Sequence, residues 1–264
     1  MSHDSAVTYG SYLHLEDLLA LQQPRSAGPE HDELLFIVIH QVYELWFKEV
    51  LHEADRAMAL LDAGDGHRAQ HTLKRILTIL KVLVAQVDIL ETMTPLEFLS
   101  FRDRLEAASG FQSDQFRQLE CVMGVKSPGL AERFPPGSRA RAAIERRLSA
   151  PTLWDAFLHS LHRAGYAVPR TALERDVTAP VTPSPEMQAL LIDVYRNDPQ
   201  NSELCERLLD LDEGILEWRY RHVRMVERTI GGRTGSGGST GAAYLSTTLG
   251  RRAFPDLWEA RTKM

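Results

Sequence analysis

Long stretches of this sequence place apolar residues at the spacing of an α-helix. They cover residues 29–61, 68–93 and 198–230, where Leu, Ile and Val recur three or four positions apart. This spacing puts the apolar side chains on one helix face, which must pack against another element. The sequence has no convincing hairpin signal and no alternation of strands with helices. We therefore expect an all-α fold: a helical bundle of several long helices with short extra helices, in a single domain over 1–264.

The beginning of the first long helix is unusually apolar. Residues 34–42 read LLFIVIHQV, with His40 and Gln41 as the only polar residues. A helix that is apolar on nearly every side is expected to be buried all round. A buried imidazole without a partner is unfavourable by roughly 1 to 3 kcal/mol, so such a histidine is usually a hydrogen-bonded core residue. His40 shares this apolar setting with His222, and two such histidines in one chain favour a functional role more than one does.

The composition limits the classes of function. The 264 residues carry a formal net charge of −6, so we expect neither nucleic acid nor an anionic membrane as a partner. No segment approaches the roughly 18 apolar residues of a membrane span. The N-terminus lacks the basic and apolar regions of a signal peptide. Cys121 and Cys205 form no C-x-x-C pair, so we expect free thiols and a reducing, cytoplasmic location.

Other segments are irregular or weakly patterned. We expect residues 1–8 to be disordered, because they carry no apolar periodicity. Residues 9–28 begin with an apolar-aromatic stretch that we expect to dock on another surface. Residues 124–185 begin and end with long loops rich in Pro and Gly, and we expect a small helical insert there.

The helix after residue 94 carries a candidate ligand-binding side chain. Thr94, Pro95 and Glu97 predict a capping box at its start. Arg102 lies further along this helix, among aromatic residues. It is either a surface residue of the charged run 102–104 or a guanidinium that clamps a carboxylate with two hydrogen bonds.

Residues 218–241, WRYRHVRMVERTIGGRTGSGGSTG, join the end of a helix to a glycine-rich loop. His222 falls on an apolar helical stripe with Trp218, and Gly231 is expected to help end the helix. The loop lacks the preceding strand of a dinucleotide fingerprint and the lysine of a P-loop. A lone histidine on such a stripe is more often a core residue. An imidazole beside a loop rich in hydrogen-bond donors is nevertheless a reasonable place for a cofactor and a small ligand.

Several blocks of the chain together resemble one family. In order they are TYGSYLHLEDLLALQQP, FIVIHQVYELWFKE, ETMTPLEFLSFRD, SGFQSDQFRQLE, WRYRHVRMVER and GSGGSTG. They are similar in order and separation to blocks of the tryptophan 2,3-dioxygenases, from about residue 8 to residue 250. The resemblance implies a homotetramer of helical subunits, each built around a pocket for one non-covalently bound haem b. It also implies insertion of both atoms of O2 across the indole C2–C3 bond of L-tryptophan, which gives N-formyl-L-kynurenine and starts tryptophan catabolism.

The resemblance also implies roles for individual residues. His222 would be the axial ligand of the haem iron, and His40 the distal histidine that accepts the indole N–H. Phe36 and Phe98 would line the indole pocket, and Arg102 would bind the substrate carboxylate. The other residues implied are Gly235 and Ser236 for the charged groups of the substrate, Tyr9, Tyr12 and Leu13 for the pocket of a neighbouring subunit, and Ser109 and Gly110 for the cofactor.

Two positions depart from the pattern that the resemblance implies. Ser236 stands where the family usually has threonine, and Gly232 stands where a bulky residue is common. The missing methyl group could leave room for a substituted tryptophan. The alternative function is therefore a haem monooxygenase of the same fold, which inserts one oxygen into a derivative such as β-methyl-tryptophan and needs an external reductant. A haem sensor without turnover and a helical scaffold without a cofactor are further alternatives.

Overall fold

The computed structural model describes residues 6–28, 30–106, 108–235 and 241–264. Regular secondary structure in these ranges is helical throughout, which confirms the all-α prediction. The N-terminal half contains α1 (Tyr9–Leu13), α2 (Leu15–Leu19), α3 (Asp32–Asp62), α4 (Gly66–Leu90), α5 (Pro95–Phe101) and α6 (Asp114–Val122). The C-terminal half contains α7 (Arg139–Ser149), α8 (Leu153–Arg163), α9 (Arg170–Leu173), α10 (Pro185–Asn197), α11 (Pro199–Ile230), α12 (Ala242–Ser246) and α13 (Pro255–Lys263). Short 3₁₀ segments occupy Arg102–Leu105, Gly110–Gln112 and Ala131–Arg133.

Three long helices form the centre of the bundle. They are α3, α4 and α11, with 31, 25 and 32 residues. α4 packs against both α3 and α11, and α8 packs against α3. α4 buries Leu73, Ile76, Leu80, Leu83 and Val87, which recur at alternating steps of three and four and so share one face. The apolar spacing in the sequence is thus the face that the fold buries.

Local capping interactions set several helix ends. The carboxylates of Asp65 and Asp198 cap the N-termini of α4 and α11 by accepting backbone N–H bonds. Thr94 and Glu97 form the predicted capping box at the start of α5. α11 ends at Gly231, whose φ of 59° lies in the left-handed region that favours glycine. The predicted start of α5 and the predicted end of α11 are therefore confirmed, whereas α5 ends at Phe101 and Arg102 begins a 3₁₀ segment instead of continuing the helix.

The first long helix begins later than the sequence predicts. α3 starts at Asp32, and Pro29 lies outside the described residues. The buried Glu33 carboxylate accepts hydrogen bonds from the backbone N–H groups of Arg25 and Ser26, at 2.7 and 3.0 Å. These bonds hold the preceding loop against the first turn of α3. A helix continued backwards from Asp32 would carry that loop away from Glu33.

The expectation that residues 34–42 are buried all round is wrong. Leu34 and Val38 are 47% and 38% exposed. Ile39, on another side of the helix, is buried in the core. The packing of α4 and α8 covers only part of the circumference of α3. The run therefore has one face in the core and one apolar face on the outside of the chain.

The N-terminal helices lie outside the core. The Thr8 hydroxyl caps α1, and neither α1 nor α2 has a buried residue. Residues 1–5, within the segment predicted to be disordered, lie outside the described residues. No described helix combines the length and the hydropathy needed to cross a membrane.

The region 124–185 contributes two different kinds of packing. α8 places Trp154 and Phe157 in the main core, whereas α7 packs on α6 in a small second cluster around Ile144. Cys121 belongs to that second cluster, and both it and Cys205 are buried free thiols, as predicted. The small helical insert stays a prediction.

Candidate active site

A cavity of about 550 Å³ lies between α3, α5, α6, α11 and α12. This volume is typical of a site for a cofactor or a small molecule. The predicted site residues that line it are Phe36, His40, Phe98, Arg102, Ser109, Gly110, His222 and Gly235. Tyr9, Tyr12 and Leu13 lie on the exposed helix α1 instead. Ser236 lies outside the described residues.

His222 enters the cavity from α11 with its ring stacked on Trp218. The two ring centroids are 5.2 Å apart and the planes differ by 6°. Trp218 is itself held by Phe116, with ring centroids 4.8 Å apart. Burial lowers the pKa of His222 to about 4, and the charges of His40 and Arg117 act in the same direction. The imidazole is therefore neutral near pH 7 and has a lone pair available for a metal ion.

His40 enters the same cavity from α3. Its Nδ1 atom lies 2.7 Å from the carbonyl oxygen of Phe36. Because a carbonyl only accepts, we assign the proton to Nδ1, which leaves Nε2 as a hydrogen-bond acceptor. Burial lowers the pKa of His40, although the Phe36 carbonyl and the Glu44 carboxylate oppose the shift. His40 can therefore accept a hydrogen bond from a ligand in the cavity.

Aromatic rings form a slot next to His40. Phe36 lies 4.0 Å from the His40 ring, between ring centroids. Its distances to Phe98 and Phe101 are 5.9 and 5.5 Å. Rings at these separations pack favourably and leave flat apolar walls. The slot suits a planar aromatic group.

Arg102 connects the end of α5 to the glycine-rich loop. Its guanidinium donates a hydrogen bond to the carbonyl oxygen of Thr234, next to Gly235. Arg102 lines the cavity, whereas Asp103 and Arg104 are exposed. A guanidinium has five N–H donors, so the bond to Thr234 leaves donors for a carboxylate.

Ser109 and Gly110 line another part of the cavity wall. The Ser109 hydroxyl accepts a hydrogen bond from the backbone N–H of Phe111 at 3.4 Å. A Cβ atom added to Gly110 would meet nothing within 4 Å, so the wall is open at this point. Phe111 packs edge-on against Tyr244 of α12, with ring centroids 5.3 Å apart.

Sequence reasoning missed a charged cluster in the wall of the cavity. Glu120 of α6 accepts hydrogen bonds from Arg117 and Arg219, at 2.6 and 2.7 Å. The side chains of Arg219 and Glu120 are 5% and 7% exposed. One signal was present in the sequence, because Arg219 lies three positions before His222 and so shares its apolar helix face.

A metal at His222 would need ligands from a cofactor. In the ranges that the structure covers, no three His, Cys, Asp or Glu side chains are grouped to hold a metal ion. Haem would fit this requirement, because its porphyrin brings most of the ligands of the iron and His222 would add an imidazole. The mainly apolar wall also suits the faces of a porphyrin. The fold and the site together define an all-α protein with a mainly apolar cavity that His40 and His222 both line.

Known proteins identify the family. Residues 1–134 and 172–264 match the family model described as tryptophan 2,3-dioxygenase. A protein named tryptophan 2,3-dioxygenase from Herpetosiphon aurantiacus is 58% identical over 98% of this chain and 99% of its own length. Proteins of the same name from Anaeromyxobacter sp. (strain K) and Caulobacter vibrioides are 55% and 47% identical over 98% of this chain, and over 97% and 98% of their own lengths. This chain belongs to the tryptophan 2,3-dioxygenase family, which confirms the resemblance seen in its sequence.

The family model leaves one internal segment unmatched. Residues 135–171, which contain α7 and α8, lie between the two matched parts. The relative from Herpetosiphon aurantiacus nevertheless aligns over 98% of this chain, so most of this segment has a counterpart there. α8 also belongs to the main core through Trp154 and Phe157.

Proposed function

We propose that this chain is a haem-dependent tryptophan 2,3-dioxygenase. It takes L-tryptophan and O2, inserts both oxygen atoms across the indole C2–C3 bond and releases N-formyl-L-kynurenine. One observation carries the proposal: two neutral histidines, from α3 and α11, line one apolar cavity in a member of this family. The names of the relatives favour the dioxygenase over the monooxygenase alternative.

His222 would hold haem b without a covalent link. Its neutral imidazole would bind the iron, and Trp218, stacked on it at 5.2 Å between ring centroids, fixes the orientation of the imidazole ring. Ser109 and Gly110 would contact the cofactor from their part of the wall. Bound haem supplies the oxygen chemistry, and the protein supplies orientation and a dry site.

The other lining residues match the parts of L-tryptophan. The slot formed by Phe36 and Phe98 receives the indole ring, and Nε2 of His40 accepts the indole N–H. The Arg102 guanidinium binds the carboxylate with the donors left free by the Thr234 carbonyl. Gly235 and Ser236 take part in holding the charged groups of the substrate. A zwitterion with a flat apolar end needs this combination of a slot, an acceptor and a cation.

His40 orients the indole ring and does not transfer a proton. Its Nδ1 proton is held by the Phe36 carbonyl, so Nε2 presents a lone pair in one direction. The hydrogen bond keeps the proton on the indole nitrogen while it fixes the ring in the slot. An acceptor placed in this way selects for an N–H group, because a ligand without that group leaves the acceptor unpaired.

The exposed N-terminal helices support a homotetramer. Tyr9 and Tyr12 are 76% and 75% exposed, and Leu13 follows them on the same helix. Together with the exposed Leu18 and Leu19 of α2, they form an apolar group of the kind that marks an interaction surface. These residues would reach the substrate pocket of a neighbouring subunit. Light scattering on the purified protein tests the proposal, since a monomer would contradict it. The buried free thiols suit a cytoplasmic location.

The mass of the product tests the reaction. The haem-loaded, reduced protein is given L-tryptophan and ¹⁸O2, and the product is weighed. Gain of two labelled atoms, with the absorbance of N-formylkynurenine, supports the proposal. Gain of one labelled atom would support the monooxygenase instead, and a substituted tryptophan would then be tested as the substrate. His222→Ala should lose the Soret band, whereas His159→Ala, at an exposed position on α8, should keep it.

A further inference from the structure

The charged cluster in the cavity wall has more positive than negative charge. Arg117 and Arg219 share one carboxylate, that of Glu120. Among the described residues, no other carboxylate lies within ion-pair distance of either guanidinium. One positive charge of the cluster is therefore uncompensated. A buried charge without a counter-charge is strongly unfavourable, so this surplus needs an explanation.

Arg117 also has a polar atom that no protein group satisfies. Its side chain is 13% exposed, and its Nε atom is buried without a hydrogen-bond partner in the described residues. Its guanidinium lies over the Phe116 ring, 5.2 Å from the centroid. The aromatic contact holds the group in place while it still lines the cavity. An anion at this position would satisfy both the free donor and the surplus charge.

Other lining groups strengthen the positive character of this wall. Arg133 and Arg251 line the cavity and are exposed. The Arg219 guanidinium also donates a hydrogen bond to the backbone carbonyl oxygen of Arg251, at 3.4 Å. The carboxylates of Glu44 and Asp114 also line the cavity, but they accept from the amides of Gln115 and Gln118, at 2.8 and 2.9 Å, rather than from an arginine. The arginines on this side thus stay available to a ligand.

The cluster is separate from the proposed substrate clamp. Arg102 follows α5 and bonds to the Thr234 carbonyl. Arg117 and Arg219 belong to α6 and α11, and Arg219 is less than one helical turn from His222. The surplus charge therefore lies beside the proposed axial ligand.

We propose that Arg117, Glu120 and Arg219 anchor the carboxylate arms of the cofactor. This inference rests on the proposed haem, whose two propionate groups are anionic. Arg117 binds a propionate through Nε and its neighbouring N–H group, in the two-pronged geometry that guanidinium and carboxylate share. Glu120 holds both arginines in position before the cofactor arrives. Arg219 supplies a second positive charge on the same wall.

The test compares haem with haem dimethyl ester, in which both propionates are uncharged. Each porphyrin is loaded into the protein, and its release to an excess of an apo haem-scavenging protein is followed by the Soret band. The wild-type protein should release the ester about tenfold to a hundredfold faster than haem, the range expected for losing a charged hydrogen bond. This comparison changes only the ligand, so it does not depend on the folding of a variant.

Two variants assign the effect to the cluster. Arg117→Met removes the surplus charge and leaves the Glu120–Arg219 pair, so the ratio of the two release rates should fall towards one. Arg207→Met is the matched control, because Arg207 pairs with Glu203 and Asp210 on α11 and does not line the cavity. It should keep the wild-type ratio.

The outcomes separate this inference from the proposed function. Equal release of haem and ester by the wild-type protein overturns the anchor and leaves the haem proposal standing. An unchanged ratio in Arg117→Met also overturns it, because the cluster is then a structural ion pair only. A protein that gives no Soret band with either porphyrin overturns the proposed function and the anchor together.

Discussion

Replacing Asp212 should loosen the C-terminal segment of the chain. The buried Asp212 carboxylate on α11 accepts hydrogen bonds from the backbone N–H groups of Ala253 and Phe254, at 3.0 and 3.3 Å. It also accepts from the Trp258 indole N–H at 2.8 Å. Asp212→Ala leaves three donors without this acceptor, and each unpaired buried donor costs about 1 to 3 kcal/mol. Water partly replaces the acceptor, so we take the lower end of this range for each of the three donors. We therefore expect the free energy of unfolding to fall by about 3 kcal/mol.

Urea unfolding at pH 7 measures this loss, with the slope of the transition checked for a constant value. Asp212→Asn keeps an uncharged oxygen near the same donors, so it should lose about half as much. Asp210→Asn is the control on the same helix. Asp210 is 45% exposed and pairs with Arg207, so its replacement should change stability by about 0.5 kcal/mol or less. A loss below about 1 kcal/mol in Asp212→Ala would refute the reasoning that the three donors depend on this carboxylate.

Three further predictions concern the cavity and the acid stability. Arg102→Lys keeps the charge but loses the two-pronged geometry, so KM for L-tryptophan should rise about tenfold with an unchanged Soret band; an unchanged KM in steady-state kinetics would contradict the clamp. His40→Ala should lower kcat/KM for L-tryptophan about tenfold to a hundredfold and should remove the preference over 1-methyl-tryptophan, which lacks the N–H; a preserved preference would exclude His40 as the acceptor. Burial raises the pKa of Asp155, but hydrogen bonds from Arg175 and Thr152 outweigh burial and hold this pKa below its ordinary value. The ionised carboxylate therefore stabilises the folded state above about pH 3.9, the pKa of the unfolded chain. That stabilisation is lost as the pH falls further, so wild type and Asp155→Asn should converge in urea unfolding at low pH, and a constant difference would contradict the assignment.

Helix ends are predictable from sequence where their caps are local. The capping box of Thr94 and Glu97 and the glycine stop at Gly231 involve residues within one turn of the helix end. The start of α3 is different, because Glu33 bonds to backbone groups of Arg25 and Ser26. No local pattern reports which conformation that loop adopts. The sequence therefore predicts the helix but not its first residue.

The apolar pattern of α3 also has a limit as a predictor. It shows that the helix has apolar side chains on several sides, but it does not show which elements cover each side. Leu34 and Val38 remain exposed, because α4 and α8 pack elsewhere on the helix. The apolar pattern of one helix does not contain this packing, because the packing depends on where distant segments of the chain lie.

The residues of the site were predictable only where a local sequence signal marks them. His40 and His222 stand out in the sequence because each is a polar residue on an apolar helix face. Arg117 and Glu120 are three positions apart and have the pattern of an ordinary surface ion pair. Only the contact of Glu120 with Arg219, 99 positions away along the chain, shows that the pair is buried in the cavity wall.

The wall that α3 contributes to the cavity also restricts how this chain can change in length. Phe36, His40, Tyr43 and Phe47 all line the cavity from one helix, over roughly 16 Å of its axis. Deleting one residue between His40 and Tyr43 would turn every later side chain by about 100° around that axis. Tyr43 and Phe47 would then leave the wall together. Point substitutions can accumulate along this helix, but we expect insertions and deletions in evolution to fall in exposed loops such as 135–137.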